Sequence, residues 1–176
     1  MNLGKFLQAK PDPLTRQADA LFPMAQVVAQ ASLDLKDKCV GLEVADDTWW
    51  RFFVTVAVVF VAATRLKNLK VGRRREERLV AIVAAQVEQW NPRVLGAFED
   101  CKAFFDRTVD AYSAALEGDE RRFATSDTIG AWVVWNVLDR PAETGDEWLL
   151  VRTIGSVATT AGYRAWDSRE SASGGS

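Results

Sequence analysis

The feature that most constrains the fold is a run of 13 uncharged residues, Phe52 to Thr64, with the sequence FFVTVAVVFVAAT. Trp49 and Trp50 precede this run, and a cluster of lysines and arginines follows it. As an α-helix the run covers about 20 Å at 1.5 Å per residue. The hydrocarbon core of a bilayer is about 30 Å thick and requires about 20 apolar residues. A helix lying in the membrane plane needs one strongly charged face, which the run lacks. We therefore favour a buried helix over a membrane anchor. A role at a lipid surface stays open as an alternative, because the flanking aromatic and basic residues imitate a membrane belt.

A β-strand is the second alternative for this run, because valine-rich segments are typical of buried parallel strands. The run is longer than most strands, and no alternation of strand and helix patterns surrounds it. We therefore predict a helix that is apolar on all sides, and such a helix has to be covered on all sides by others. The predicted fold class is all-α, a single-domain bundle of about six helices around a central apolar helix.

Apolar residues spaced by three and four positions predict the other helices. The first helical stretch extends from Leu14 to Leu35, and we expect a break near Phe22 because Pro23 interrupts the pattern. The remaining predicted helices cover residues 48–70, 73–90, 91–118, 126–138 and 146–166.

Domain boundaries follow from these helices. We predict an N-terminal extension over residues 1–12 and the helical bundle domain over residues 13–166. The last ten residues, 167–176, read DSRESASGGS and are poor in apolar side chains, so we expect a disordered tail.

Charge and leader composition bear on partners and compartment. Lysine and arginine number 22 and aspartate and glutamate 24 among 176 residues, a formal net charge of −2. A chain this close to neutral has no global field that draws it to nucleic acid, so we expect no nucleic-acid partner. The N-terminal sequence MNLGKFLQAKPDP lacks the long apolar segment of a signal peptide, which predicts the cytoplasm.

The chain contains no histidine, and this absence excludes several kinds of chemistry. A Ser-His or Cys-His nucleophile, a histidine-ligated haem or zinc, and a Glu-x-x-His di-iron bundle all require that side chain. Cys39 and Cys101 do not form a CxxC pair, and we expect both to be buried free thiols. Enzyme activity is therefore not favoured.

A basic segment follows the apolar run and contains the anion-binding candidates Arg73, Arg74, Arg75 and Arg78. Phosphate binding is one interpretation of such a cluster. The favoured interpretation is a solvated corner between two helices, because Glu76 and Glu77 interrupt the cluster and would repel phosphate.

Acidic residues on the predicted helix 91–118 raise the alternative of a magnesium site. Asp106 and Asp110 are i,i+4 neighbours, and such a pair of carboxylates can hold Mg²⁺. A metal site of this kind needs a second acidic helix facing the first, so surface charge is the favoured interpretation and no cofactor is expected.

Seven tryptophans are unusually many for a chain of this length. Most should belong to the core or its rim, and any that are exposed together mark a protein interface or a pocket for a planar ligand. The candidates for an interface or ligand site are Trp49, Trp50, Trp132, Trp135 and Asn136.

Small residues form a seam along the last predicted helix, at Gly155, Ala158, Ala161, Gly162 and Ala165. Such a seam permits the close approach of another helix. The partner is either the valine-rich central helix or a second copy of the chain.

These observations favour a non-catalytic soluble protein that acts through protein–protein contacts, with a protein partner or a homo-oligomer of the chain itself. Two alternatives stay open: a magnesium-dependent enzyme acting on phosphorylated substrates, and a bundle that binds an apolar or planar ligand. The first would use Asp106 and Asp110, and the second would use Trp132 and Trp135.

Overall fold

The computed structural model describes residues 12–42, 44–115 and 125–167, and within these ranges the chain forms helices and no strand. Six helices have 14 residues or more, and a seventh has five. They pack around one core, so the predicted all-α, single-domain bundle is confirmed. The helices are α1 (Pro13–Ala31), α2 (Leu33–Asp37), α3 (Asp47–Asn68), α4 (Arg73–Trp90), α5 (Val94–Ala115), α6 (Thr125–Leu138) and α7 (Gly145–Arg164).

The apolar run lies in the middle of α3, and α3 contacts each of the other helices. Between Phe52 and Ala62 every side chain except Phe53 is buried. By length and mean hydropathy, 1.5 over 18 residues, α3 is the one helix in the described ranges that passes a membrane-span test, and 67% of that stretch is buried inside the bundle. The prediction of a central apolar helix covered by its neighbours is therefore confirmed.

Both ends of α3 follow from local sequence. Asp46 caps the N-terminus, because its carboxylate accepts a hydrogen bond from the Thr48 amide at 2.6 Å. At the other end, Lys70 and Gly72 have positive φ angles of 51° and 89° and turn the chain into α4. Glycine adopts such a φ without steric cost, which explains its place at this corner.

The predicted break near Phe22 is wrong, because α1 is continuous from Pro13 to Ala31 with Pro23 inside it. Proline has no amide hydrogen, so it leaves the carbonyl four residues earlier without its helical partner. That carbonyl belongs to Asp19, and the side-chain amide of Gln86 in α4 donates a hydrogen bond to it at 3.3 Å. A contact from another helix thus compensates for the missing bond.

Replacing Pro23 with alanine is expected to stabilise the protein by about 2 kcal/mol. Proline in a helix interior is about 3 kcal/mol less favourable than alanine, and the hydrogen bond from Gln86 to the Asp19 carbonyl already recovers about 1 kcal/mol of that penalty. The measurement is urea unfolding followed by circular dichroism. Pro13, at the first position of α1, is the matched control, because proline is well tolerated there and Pro13→Ala should change little.

The first helical stretch is interrupted at Ser32, ten residues after the expected point. The Ser32 hydroxyl donates to the carbonyl of Ala29 at 2.8 Å and accepts a hydrogen bond from the Trp50 indole at 2.8 Å. The short α2 then places Lys36 in the interior. Its ammonium group pairs with Asp47, with Asp37 and with the chain leading into α3.

Lys36 is buried but charged. Burial alone would lower its pKa, and the hydrogen bonds and charges of Asp47 and Asp37 together raise the pKa above its ordinary value. The ammonium group also donates to the carbonyl of Ala45 at 2.7 Å, so it holds the segment before α3 against α2.

The small-residue seam of α7 contacts two helices. Gly162 lies against Val61 of α3, which agrees with the alternative that the seam packs on the valine-rich central helix. Gly155 lies against Ser126 and Gly130 of α6. The Trp166 indole, just beyond α7, donates to the Ala62 carbonyl of α3 at 2.8 Å. The seam therefore joins α7 to its own bundle.

Two other expectations concern the helix predicted over residues 91–118. It begins at Val94, because the Asn91 side chain and carbonyl accept hydrogen bonds from the amides of Arg93 and Val94 in a turn before it. Its predicted end near residue 118 lies outside the described residues. So do the predicted N-terminal extension, apart from residue 12, and the predicted C-terminal tail, apart from residue 167. The predicted domain boundaries therefore stay predictions.

Candidate functional site

The structure divides the tryptophan candidates into buried and exposed side chains. Trp50 is fully buried, and its indole donates to the hydroxyl of Ser32. Trp132 is 1% exposed, and its indole donates to Asp100 of α5 at 2.8 Å. Both side chains are core residues with satisfied N–H groups, so neither offers the surface that an interface or ligand site requires.

Trp49 and Trp135 keep large exposed faces, 41% and 44% of their surface. Trp49 stacks on Phe53, with a centroid distance of 5.7 Å, and the Arg93 guanidinium lies 5.7 Å from its ring centre. Trp135 meets Phe104 of α5 edge to face at 6.0 Å. These two tryptophans remain candidates.

Asn136 follows Trp135 on α6 and is half-buried. Its side-chain N–H donates to the Trp132 carbonyl at 2.9 Å, four residues earlier in the same helix. Because this bond stays within α6, it does not fix the register between two helices.

The four anion-binding candidates lie in the first turns of α4. Arg73 pairs with Glu77 at 2.8 Å, and Arg75 holds both carboxylate oxygens of Asp12 at 2.5 and 2.6 Å. Arg74 and Arg78 are exposed. A phosphate at Arg73 or Arg75 would have to displace a carboxylate that is already in place, which favours the interpretation of this segment as a solvated corner between two helices.

Asp106, one of the two magnesium candidates, accepts a hydrogen bond from Lys102 at 2.5 Å on the exposed face of α5. The side chain of Asp110 lies outside the described residues. In the described part of the chain no three potential metal ligands come together, so no observation there supports the magnesium alternative.

Both cysteines are buried, and the described residues contain no disulfide. Burial raises the pKa of the Cys101 thiol, and the neighbouring charge of Asp100 raises it further. A thiol with a raised pKa stays protonated at neutral pH and is a poor nucleophile. Cys101 is therefore a core residue of α5.

An apolar groove lies between α4 and α5, with side chains of α3 beneath it. Its 13 lining side chains are all aliphatic or aromatic. Its volume is about 130 Å³, close to that of an engineered apolar cavity that holds benzene. Val80 of α4 and Leu95 of α5 stand at its rim, 43% and 46% exposed.

The groove exists because α4 packs mainly against α1. Leu79, Val83 and Val87 form the buried stripe of α4, and these side chains also reach the groove wall. The exposed faces of Val80 and Leu95 continue the apolar lining outward to solvent. An apolar concavity that opens to the surface is typical of a binding site.

A second concavity, the α5–α6 cleft, has a different chemistry. It has a volume of about 600 Å³ and is lined by charged, polar and aromatic side chains. Its lining residues are Asp100, Phe104, Arg107, Thr108, Trp135, Asn136 and Asp139.

Sequence reasoning missed most residues of both concavities. Leu95 belongs to the apolar stripe of its helix, which predicts core, and Val80 lies next to the stripe of α4, yet both are exposed. The sequence did not indicate Asp100 as a site residue, because its partner Trp132 is 32 residues away in the chain. Trp135 and Asn136 were indicated by the sequence, and both line the α5–α6 cleft.

Comparison with known proteins gives no relative: no family model, no curated protein and no solved structure matches this chain. Function has to be inferred from the groove and the cleft themselves.

Proposed function

We propose that this chain is a non-catalytic helical protein that acts through protein–protein contact, and that it self-associates through the apolar groove. The observation that supports this proposal is the groove itself, whose lining side chains are all apolar and whose rim exposes Leu95 to solvent. A partner that buries exposed apolar surface around such a concavity stabilises the complex by about 25 cal/mol for each Å² of apolar surface removed from water.

The lining favours an apolar side chain over a polar small molecule. Pockets for small molecules usually combine apolar walls with a few polar groups that fix the orientation of the ligand. No polar side chain lines this groove, apart from the Trp166 indole, whose N–H is engaged with Ala62. An aliphatic anchor from another protein needs no such polar group, and anchors in fitted pockets dominate the energy of many interfaces.

A second copy of the chain is the favoured partner because an exposed apolar side chain at the rim of the groove can fill the groove of another copy. Leu95 is 46% exposed and stands beside the space it would fill in a neighbour. In a two-fold dimer the same patch meets itself, so each copy would insert Leu95 into the groove of the other. The groove has room for one side chain of this size.

We expect the wild-type chain to sediment as a dimer at 100 µM and to dissociate on dilution. Leu95→Glu should give a monomer at the same concentration, because a carboxylate would be buried in a groove that offers it no partner. Val27→Glu is the matched control: Val27 is 68% exposed on α1 and does not line the groove. It should leave the dimer intact.

Sedimentation velocity between 1 and 100 µM measures the association, and circular dichroism checks that each variant keeps the wild-type helix content. A wild-type chain that is monomeric at 100 µM contradicts self-association. Equal loss of the dimer in both variants would place the interface elsewhere on the molecule.

We further propose the cytoplasm as the compartment. The support is that Cys39 and Cys101, the two cysteines of the chain, are both buried and form no disulfide with each other, as is typical of a reducing environment. Fractionation of cells that express the tagged chain tests this assignment, and recovery with the membrane or secreted fraction contradicts it.

A further inference from the structure

The α5–α6 cleft is separate from the apolar groove and has an uncompensated negative charge. Two carboxylates, Asp100 and Asp139, line the cleft with one guanidinium, that of Arg107. In the described structure Asp139 makes no hydrogen bond or ion pair, and Asp100 uses one oxygen, for the indole of Trp132. The cleft therefore has carboxylate oxygens available for a donor.

An aromatic wall stands beside these carboxylates. Trp135 exposes 44% of its surface and lines the cleft, and Phe104 contacts it edge to face. A cation that lies over an indole face is attracted by the ring quadrupole. The Asn136 side chain adds an amide oxygen, since its N–H₂ group is engaged with the Trp132 carbonyl.

We propose that the α5–α6 cleft binds a guanidinium group between the Trp135 face and the Asp139 carboxylate. A guanidinium is planar, so it stacks on the indole, and its edge donates two hydrogen bonds to a carboxylate. An ammonium ion is attracted by the same charges but has no flat face for the indole. Arg107, which also lines the cleft, opposes any incoming cation.

The guanidinium has two natural sources, a free small molecule or an arginine side chain of a protein partner. Titration with methylguanidinium chloride tests the first, and titration with the peptide acetyl-Gly-Arg-Gly-amide tests the second. Tighter binding of the peptide indicates an arginine side chain, and tighter binding of methylguanidinium indicates a small molecule. Both probes are used below about 20 mM, far below the molar concentrations at which guanidinium unfolds proteins.

The readout is the ¹H–¹⁵N indole signal of Trp135, assigned by its loss in Trp135→Leu. We expect this signal to shift with methylguanidinium or the peptide, and not with urea, which has the same shape without the charge. The Asp139→Asn variant should bind about tenfold more weakly, since a charge-assisted hydrogen bond is lost. Asparagine tolerates the positive φ of 55° at this position, so the variant is expected to fold.

Arg107→Gln tests whether the ligand of the cleft is a cation. Removal of this opposing positive charge should tighten binding of methylguanidinium about two- to fivefold. Equal shifts with urea, or unchanged affinity in Asp139→Asn, would overturn the proposal. Repeating the titration in Leu95→Glu separates it from self-association, since the cleft should bind equally well in that background.

Discussion

Replacing Gly155 with alanine is expected to lower the free energy of unfolding by about 3 kcal/mol. A Cβ at this position would lie 1.8 Å from the carbonyl oxygen of Ser126 in α6, well inside van der Waals contact. The neighbour is backbone, so it cannot move aside as a flexible side chain does, and α6 and α7 have to separate. Overpacking of this kind costs about 1–3 kcal/mol and occasionally more.

Gly130 supplies the other side of the same helix crossing. A Cβ at Gly130 would lie 1.9 Å from the carbonyl oxygen of Val151 in α7. Each glycine thus admits the backbone of the opposite helix, and Gly130→Ala should destabilise the protein about as much as Gly155→Ala. Because both changes separate the same pair of helices, the double variant should lose less than the sum of the two.

Gly96→Ala is the matched control, because Gly96 also lies in a helix but has nothing within 4 Å of its added Cβ. Alanine in a helix is favoured over glycine by up to about 1 kcal/mol, so this variant should be slightly stabilised. Urea unfolding of the variants measures the difference. If Gly155→Ala and Gly96→Ala shift the midpoint in the same direction, the close α6–α7 contact is not as described.

The central helix was predictable because its evidence is local. An uncharged, largely apolar stretch from Phe52 to Thr64 has to be mostly buried wherever the rest of the chain lies, and the structure buries it from Phe52 to Ala62 with Phe53 half-buried. The small-residue seam of α7 was predictable for the same reason. Its contact with α6 was not, because the close approach of Gly155 to the Ser126 backbone depends on how α6 packs against α7.

The failed prediction at Pro23 shows what local sequence omits. Proline does remove a hydrogen bond, but the donor that replaces it, Gln86, is 67 residues away from Asp19 in the chain. The tryptophans illustrate the same limit. Trp49 and Trp50 are neighbours in sequence, yet one is 41% exposed and the other fully buried, since consecutive helical positions point about 100° apart.

The candidate sites depend even more on tertiary packing. The apolar groove is set by how α4 leans on α1, and no single segment records that geometry. The α5–α6 cleft was half indicated, because the sequence singled out Trp135 and Asn136 as candidates and both line it. Its charged members were not connected with them. Asp100 and Arg107 lie on α5, and Asp139 follows the end of α6.

Glu147 marks a second position where a large loss of stability is expected. It is buried at the start of α7, and its carboxylate binds the Arg140 guanidinium at 2.7 and 3.1 Å. It also accepts hydrogen bonds from the amides of Glu143 and Thr144, while the Thr144 hydroxyl accepts one from the Glu147 amide. This reciprocal pair is a capping box.

Glu147→Ala should therefore lower the free energy of unfolding by about 3 kcal/mol. The change removes a charge-assisted pair and leaves two backbone N–H groups without their acceptor, and each such loss costs about 1–3 kcal/mol, with partial replacement by water. Asp146→Ala is the matched control, because Asp146 is exposed in the same helical turn. Its loss should cost no more than about 0.5 kcal/mol.

The same carboxylate predicts how stability depends on pH. The hydrogen bonds from Arg140, followed by that from the Glu143 amide, lower the pKa of Glu147 from 4.5 to about 2, against the opposing effect of burial. Between these two pH values the unfolded chain binds more protons than the folded one, so stability rises with pH. The contribution is complete above pH 4.5 and is lost as the pH falls towards 2.

Thermal melts between pH 7 and pH 2 measure this contribution when wild type is compared with Glu147→Gln, whose amide cannot titrate. The stability difference between the two proteins should be constant above pH 5 and should shrink steadily between pH 4.5 and 2. Other carboxylates titrate in both proteins and cancel in the comparison. A difference that does not change with pH would show that the Glu147 carboxylate is not held by Arg140, because only a lowered pKa couples this side chain to folding.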